Sequence, residues 1–547
     1  MKSNLRKSSL LLFCAIFFAF AFLASPGLAY TGPLSVDGTG TIKTYTSMDL
    51  DVQTTGKTSE DFNPDYRGVV AVNGGSVDIT KELKVTTTGD NSNALNALNG
   101  GKIKAGSADI TTSGNTAVAV YAQSAAAISS VDITGHARIT TNGTANSVYA
   151  NENGEISFGS LELTTASGDA LQANGNGTNK GGVIRVSDYA TVTTSGENAI
   201  GLFANLGGNI SIGGLAKVTT SGKNAYGMQI GTGKESSISV GSADITTNGV
   251  SANGIDMHSG TVSVATAAVI STSGDAAAGI EVQGGSFKAD SMKVKTQGST
   301  ARGIYSTGGG ASVDITGLAK VTTSGDWSDG MYTTEGSVIK AGSADVTTSG
   351  AHSYGIFSGG TSDDLRSTVD ITGLAKVTAT TASVDSYGMW AKNKGIIKVG
   401  SAEISTNGVT GFGIASSNLA SVDITGLAKV TTLGQYGQGL RAENGGAITA
   451  GSAEVTTSGD TAHGIWSWGI SDDQRASVNI AGLANISTSS SDAHGLYAQD
   501  GGAITAGSAD VTTRGSSSYG IWSYGVSGHY SSSVDIKGQA KVLTLGS

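Results

Sequence analysis

Ile315-Thr316-Gly317-Leu318-Ala319-Lys320-Val321-Thr322-Thr323-Ser324-Gly325 returns almost verbatim from Ile371 and again from Ile424. Its second half follows a looser rule: a small or aliphatic residue, a charged one, a β-branched aliphatic one, two Thr or Ser, a variable residue, then Gly. Copies of that rule end at Gly89, Gly114, Gly143, Gly222, Gly325, Gly350 and Gly459. Successive copies lie mostly 24 to 31 residues apart. A fixed period of this size marks a stacked repeat architecture rather than a globular core.

Nineteen copies run through the chain, each with its aliphatic anchor, from Val52 and Val85 to Val511 and Val542. The charged slot before each anchor shows how the copies meet. Twelve neighbouring pairs carry charge at both places, and eleven have opposite signs; only Lys293 and Lys320 match. Such alternation is expected when consecutive copies lie one strand spacing apart, about 4.8 Å, where like charges repel and opposite ones attract. Duplication of a two-copy unit would leave the same trace, and the two readings are compatible.

Each unit divides into three short strand-like pieces. Between Gly325 and Gly350 they begin near Gly330, Ser337 and Ala344. Each alternates apolar with polar residues and is too short to stand alone. Ala usually sits two residues before the anchor, on the same face, so both are expected inside. Only Pro26, Pro33 and Pro64 are present, which leaves about 480 residues free of proline. A continuous β ladder excludes proline because proline removes a donor. The 82 Gly residues are read as suppliers of positive φ at corners. The expected fold is all-β: a long right-handed parallel β-helix of about 19 coils, about 25–28 residues each, near 90 Å long. The competing architecture is a β-propeller of two-copy blades.

Residues 1–29 read as a secretory signal peptide. Lys2, Arg6 and Lys7 precede an apolar run, and Gly27-Leu28-Ala29 resembles a cleavage site. The run is short for a spanning helix, which needs about 20 apolar residues. Residues 30–49 are read as an N-terminal cap and residues 50–547 as the β-helix. The only cysteine, Cys14, falls in the leader, so neither disulfides nor thiolate metal sites are expected beyond it. Removing the leader's three positive charges takes the net charge from −10 to −13, which argues against a nucleic-acid partner.

With this leader, the cysteine-free exterior and the Ile315–Gly325 repeats, the chain resembles the passenger of a Gram-negative autotransporter, a pertactin-like or adhesin-like β-helix. The resemblance spans residues 30–547 and rests on architecture and repeats, not on a catalytic motif. It implies export through the periplasm and display at the cell surface or outer membrane, or release outside the cell. It also implies an outer-membrane β-barrel translocator as partner, which is absent from these 547 residues.

No catalytic constellation stands out: there is no HExxH, P-loop or G-x-S-x-G elbow. No enzyme activity, cofactor or metal is expected. His463 and His494 precede the Gly of equivalent pieces in neighbouring copies and are read as turn residues rather than ligands of a shared metal. Two insertions occupy equivalent places: one holds Asp363, Asp364 and Arg366, the other Asp472, Asp473 and Arg475. A third spans residues 525–532. Returning insertions line up on one side of a solenoid. Asp-Asp with Arg suits calcium or sugar hydroxyls, and equally suits a solvated loop with its own ion pair.

The strongest interaction signal is aromatic. In each Gly-aliphatic-x piece, x faces away from the buried aliphatic residue. Ten of sixteen x positions are aromatic: Tyr121, Tyr149, Phe203, Tyr305, Tyr332, Phe357, Trp390, Trp466, Tyr497 and Trp522. Stacked outward, they form a broken stripe suited to sugar faces or to another protein. Cross-strand stacking that shields the sheet beneath is the plainer account. The leading functional expectation is an adhesin or surface interaction protein that meets a host or bacterial glycan or protein. A spacer or self-associating surface fibre comes second. A polysaccharide-acting enzyme comes third, with Asp363, Asp364 and Arg366 as its modest candidates.

Overall fold

The computed structural model describes residues 28–38, 40–46, 49–54, 67–177, 180–233, 235–362, 364–381, 385–469, 474–525 and 531–546. Among them the regular elements are all β-strands, in one parallel-paired solenoid. The predicted leader lies outside the described residues apart from Leu28 and Ala29.

A typical coil pairs one short strand with one long strand. Met331–Thr333 precedes Val338–Thr348, and Ile304–Ser306 precedes Ser312–Thr323. The three predicted pieces are therefore two strands. The second and third are one strand bent in the middle, where the ladder shifts register between Ile315 and Leu318. Gly317 stands at that bend. In Ser312–Thr323 the side chains of Val313, Ile315, Ala319, Val321 and Thr323 are buried. The alternation thus restarts after the bend and keeps both arms apolar on the inside.

All nineteen anchors stand opposite their neighbours in one ladder, from Val52 with Val85 to Val511 with Val542. The ladder starts one rung earlier than the repeats suggest, because Tyr30 pairs with Val52. The residues predicted to cap the rod contribute Leu34–Asp37 and Ile42–Tyr45, which pair parallel with Val69–Val72 and Ser76–Thr87. They form a coil of the same kind at the N-terminal end. Burying an anchor such as Val321, 0% exposed, contributes about 1.5–3 kcal/mol.

The charged slots also meet as expected. Lys320 faces Asp345, Lys376 faces Glu403 and Lys429 faces Glu454. Ion pairs close at 3.2 Å for Arg138–Glu162, 2.7 Å for Lys320–Asp345 and 3.1 Å for Lys541–Asp510. These groups are solvated, so each pair is worth at most about 1 kcal/mol and mainly sets register.

The corner after the anchor corrects the expected role of glycine. Gly325 does not have positive φ; the left-handed residue is Trp327, two positions on, with φ 57°. Gly is required at 325 because a Cβ there would lie 1.8 Å from the carbonyl oxygen of Gly298 in the preceding coil. Coils approach too closely at this corner for any side chain. The second Thr of the motif spans the same corner from inside. Thr323 Oγ1 donates to the Ser328 carbonyl at 2.6 Å, Thr272 to Ala277 at 2.7 Å and Thr488 to Ala493 at 2.7 Å. A buried hydroxyl thus satisfies a carbonyl that the turn removes from the ladder.

Candidate ligand-binding face

The outward side of the short strands carries two ladders of side chains. One is the x position of the Gly-aliphatic-x piece; the other is the residue just before the Gly. Register holds at x throughout: Tyr305 faces Tyr332, Tyr332 faces Phe357 and Phe357 faces Trp390. After Ala415 and Arg441 the series resumes with Trp466, Tyr497 and Trp522.

The rings touch. Tyr332 and Phe357 stack at 4.5 Å, Tyr497 and Trp522 at 4.7 Å, and Trp466 and Tyr497 at 6.1 Å. Tyr305 meets Tyr332 edge-on at 5.6 Å, as Phe357 meets Trp390 at 5.8 Å. The rings therefore cover one another: Phe357 is 7% exposed and Tyr497 8%, while the other five later rings are half-buried. The result is a wall rather than a row of free-standing plates. Each contact adds about 0.5–1.5 kcal/mol beyond burial.

The second ladder thickens this wall and was not read from the sequence as an aromatic column. Tyr354, Tyr387, Phe412, His463, His494 and Tyr519 all immediately precede the Gly. Tyr354 lies 5.3 Å from Phe357 and 5.3 Å from Trp390. Tyr387 lies 5.0 Å from Phe412, and Tyr519 5.2 Å from Trp522. In the sequence this ladder stands only as SYG, GFG and AHG, where a residue before Gly has the look of a turn.

Cations cover the ring series at two places. The Arg441 guanidinium lies 4.3 Å over Phe412 and 4.7 Å over Trp466, bridging the break at Ala415. Arg302 lies 4.5 Å over Tyr305 and 4.1 Å over Tyr332, and its Nε meets Asp329 at 3.1 Å. Cations over ring faces are attracted by the ring quadrupole.

Polar residues of the second ladder have a different task. Asn93 accepts from the Val118 N–H, Asp169 from Ile200, Asn253 from Ala278 and Asp329 from Tyr354, each in the next coil. His463 Nδ1 accepts from the His494 N–H at 3.0 Å, and His494 Nδ1 from the Tyr519 N–H at 3.1 Å. The proton of each neutral ring therefore sits on Nε2. The two imidazoles stack at 4.8 Å. Burial, and then the neighbouring His494, takes His463 down to about 3; burial takes His494 down to about 4, against the pull of Asp492. Both rings are neutral backbone acceptors at neutral pH. Burial pushes Asp329 up to about 6 and Asp169 up to about 6, each opposed by its backbone donor.

Of the insertion residues, Asp363, Asp472 and Asp473 lie outside the described residues. Asp364 and Arg366 are exposed. Arg475 donates to the Ser531 carbonyl at 2.8 Å, tying the second insertion to the third. Thr361, just before the first insertion, and Gln474 of the second border a shallow groove floored by Asn393, Lys394, Asn418 and Leu419. Asn418 donates to Asn393 at 2.8 Å along that floor. The insertions leave from the ends of the short strands, so they stand beside the aromatic wall. Among the described residues, no group of three or more His, Cys, Asp or Glu side chains is placed to hold a metal ion.

No family model, curated protein or solved structure matches this chain.

Proposed function

We propose that this chain is a surface-displayed autotransporter passenger that works as an adhesin or surface interaction protein. It binds an extended glycan of a host or bacterial surface along the short-strand face. One observation carries the reading: the wall of rings from Tyr305 to Trp522, closed by Arg302 and Arg441 and half open to solvent. Ring faces offer apolar area to the C–H faces of sugars, and flanking amides and cations take their hydroxyls. The leader and the long parallel solenoid support display by an outer-membrane barrel.

Trp390→Ala together with Trp466→Ala tests this in the folded protein. Retention on glycan arrays or mucus is expected to fall about fivefold or more, at two ring contacts of about 0.5–1.5 kcal/mol each. Unchanged retention on every glycan, with unchanged folding by circular dichroism, sinks the glycan reading.

A further inference from the structure

The third side of the rod, the arm of the long strand that carries the anchor, has a pattern that the ring wall does not use. Two kinds of coil alternate along it. One presents Leu and Lys outward, as Leu318 and Lys320 do. The next presents Ser and an acid, as Ser343 and Asp345 do. The register pairs Leu318 with Ser343, Leu374 with Ser401, Leu427 with Ser452 and Leu483 with Ser508. These leucines are 44%, 41%, 39% and 45% exposed, while the serines between them are half-buried. The surface is therefore a comb: an apolar knob every second coil, about 9.6 Å apart, with a gap between knobs. Beside it runs a second column that alternates Lys with Asp or Glu in the same rhythm.

We infer that this face pairs with the same face of a second copy of the chain, antiparallel, in a closed two-fold dimer. The pattern selects the occupant, and pairing every coil of the alternating block selects the register. A two-fold axis lying along the strands preserves position along the strand and reverses the order of coils. Leu columns then face Leu–Ser columns, and charge columns face charge columns. A two-fold axis parallel to the rod would instead set the Leu column against the outward Thr column.

With the axis between the coils anchored by Ile404 and Val430, every Leu-Lys coil of the eight-coil block meets a Ser-acid coil. Leu374 enters the gap at the partner's Ser452, and Lys376 meets the partner's Glu454. Leu427 and Lys429 meet the partner's Ser401 and Glu403. The outer coils follow, apart from Asn485, which meets the partner's Asp345 as a neutral group. This shift satisfies shape and charge together over all eight coils of the block, more than any other, and the contact is isologous, so it closes at two copies. This pairing is independent of the glycan reading and uses a different side of the molecule.

The test is sedimentation of the full chain together with site-directed cross-linking in a Cys14→Ser background. The full chain is expected to show twice its monomer mass at the highest soluble concentration. Leu318→Ser with Leu374→Ser and Leu427→Ser is expected to return it to monomer with an unchanged circular dichroism spectrum. A chain carrying Leu374→Cys and Ser452→Cys is expected to oxidise to a covalent dimer. Within one chain those positions are three coils apart, beyond disulfide reach. A chain carrying Leu318→Cys and Ser452→Cys is expected to form no covalent dimer under the same oxidising conditions, because those positions do not meet. A wild-type chain that remains monomeric, a dimer that survives the triple Leu substitution, or equal cross-linking of the two Cys pairs would overturn the proposal.

Discussion

His463 and His494 show how one side chain can serve the backbone and a ring stack together. Each accepts a hydrogen bond from the next coil through Nδ1, and each must stay neutral to do so. In the unfolded chain both titrate near 6.5; folded, they titrate near 3 and 4. Between these limits the unfolded state binds more protons. Their contribution is therefore complete above about pH 6.5 and is lost as pH falls toward 4 and then 3. Asp329 has the opposite sign. Its folded value near 6 lies above the ordinary 3.8, so its contribution is complete below 3.8 and is lost as pH rises through 6. Hydrogen exchange at pH 4.5 and 7, corrected for intrinsic rates, is expected to show Leu496–Gln499 less protected at 4.5. His463→Asn with His494→Asn is expected to remove that difference, since Asn93 performs the same capping uncharged. Equal protection at both pH values would show that the rings are not the acid-sensitive groups.

At the scale of one corner, the position of glycine matters more than its number. A Cβ at Gly274 would lie 1.9 Å from the Gly249 carbonyl oxygen. Two residues on, Ala276 holds φ 53° with its side chain in solvent. Gly274→Ala is expected to destabilise by about 2 kcal/mol or more, as backbone clashes do. Ala276→Gly is expected to be neutral or to stabilise by up to ~1 kcal/mol through relief of left-handed strain. Urea midpoints of the two variants would move in the same direction if the corner tolerated a Cβ. This corner also marks where the sequence stops being readable. Repeat length, inward Ala and anchor, and opposed charges all follow from side-chain alternation, which is a local property. That Gly325 is needed for coil-to-coil approach while Trp327 takes the positive φ depends on a neighbour some 27 residues away in sequence. The bend at Gly317 was hidden for a similar reason: a register shift inside one strand looks like a break between two. Tyr354 and Tyr387 were overlooked because a residue before Gly looks like part of a turn until its ring is seen against Phe357 and Trp390.

Over the whole rod, the proposed binding face and the packing are both periodic. The ring wall from Tyr305 to Trp522 covers nine coils, or roughly 40 Å. A ligand that reaches several coils engages equivalent contacts in series, and its apparent affinity rises with the number engaged. Oligosaccharides of increasing length are expected to bind more tightly until they reach about that span, and then to level off. Calorimetry across a length series would read this directly. A plateau at two or three sugars would place binding in a single local pocket instead.

The opposed charges have a consequence for heredity. Near-identical stretches such as those from Ile315, Ile371 and Ile424 invite unequal exchange, which lengthens or shortens the rod. Loss of one coil would set Lys against Lys or acid against acid, as already happens at Lys293 and Lys320, and would bring two leucine coils or two serine coils together. Loss or gain of two coils restores every neighbour. A rod of this pattern keeps its order only when its length changes in steps of about 10 Å, each step a pair of coils, and the surfaces it offers then keep their rhythm.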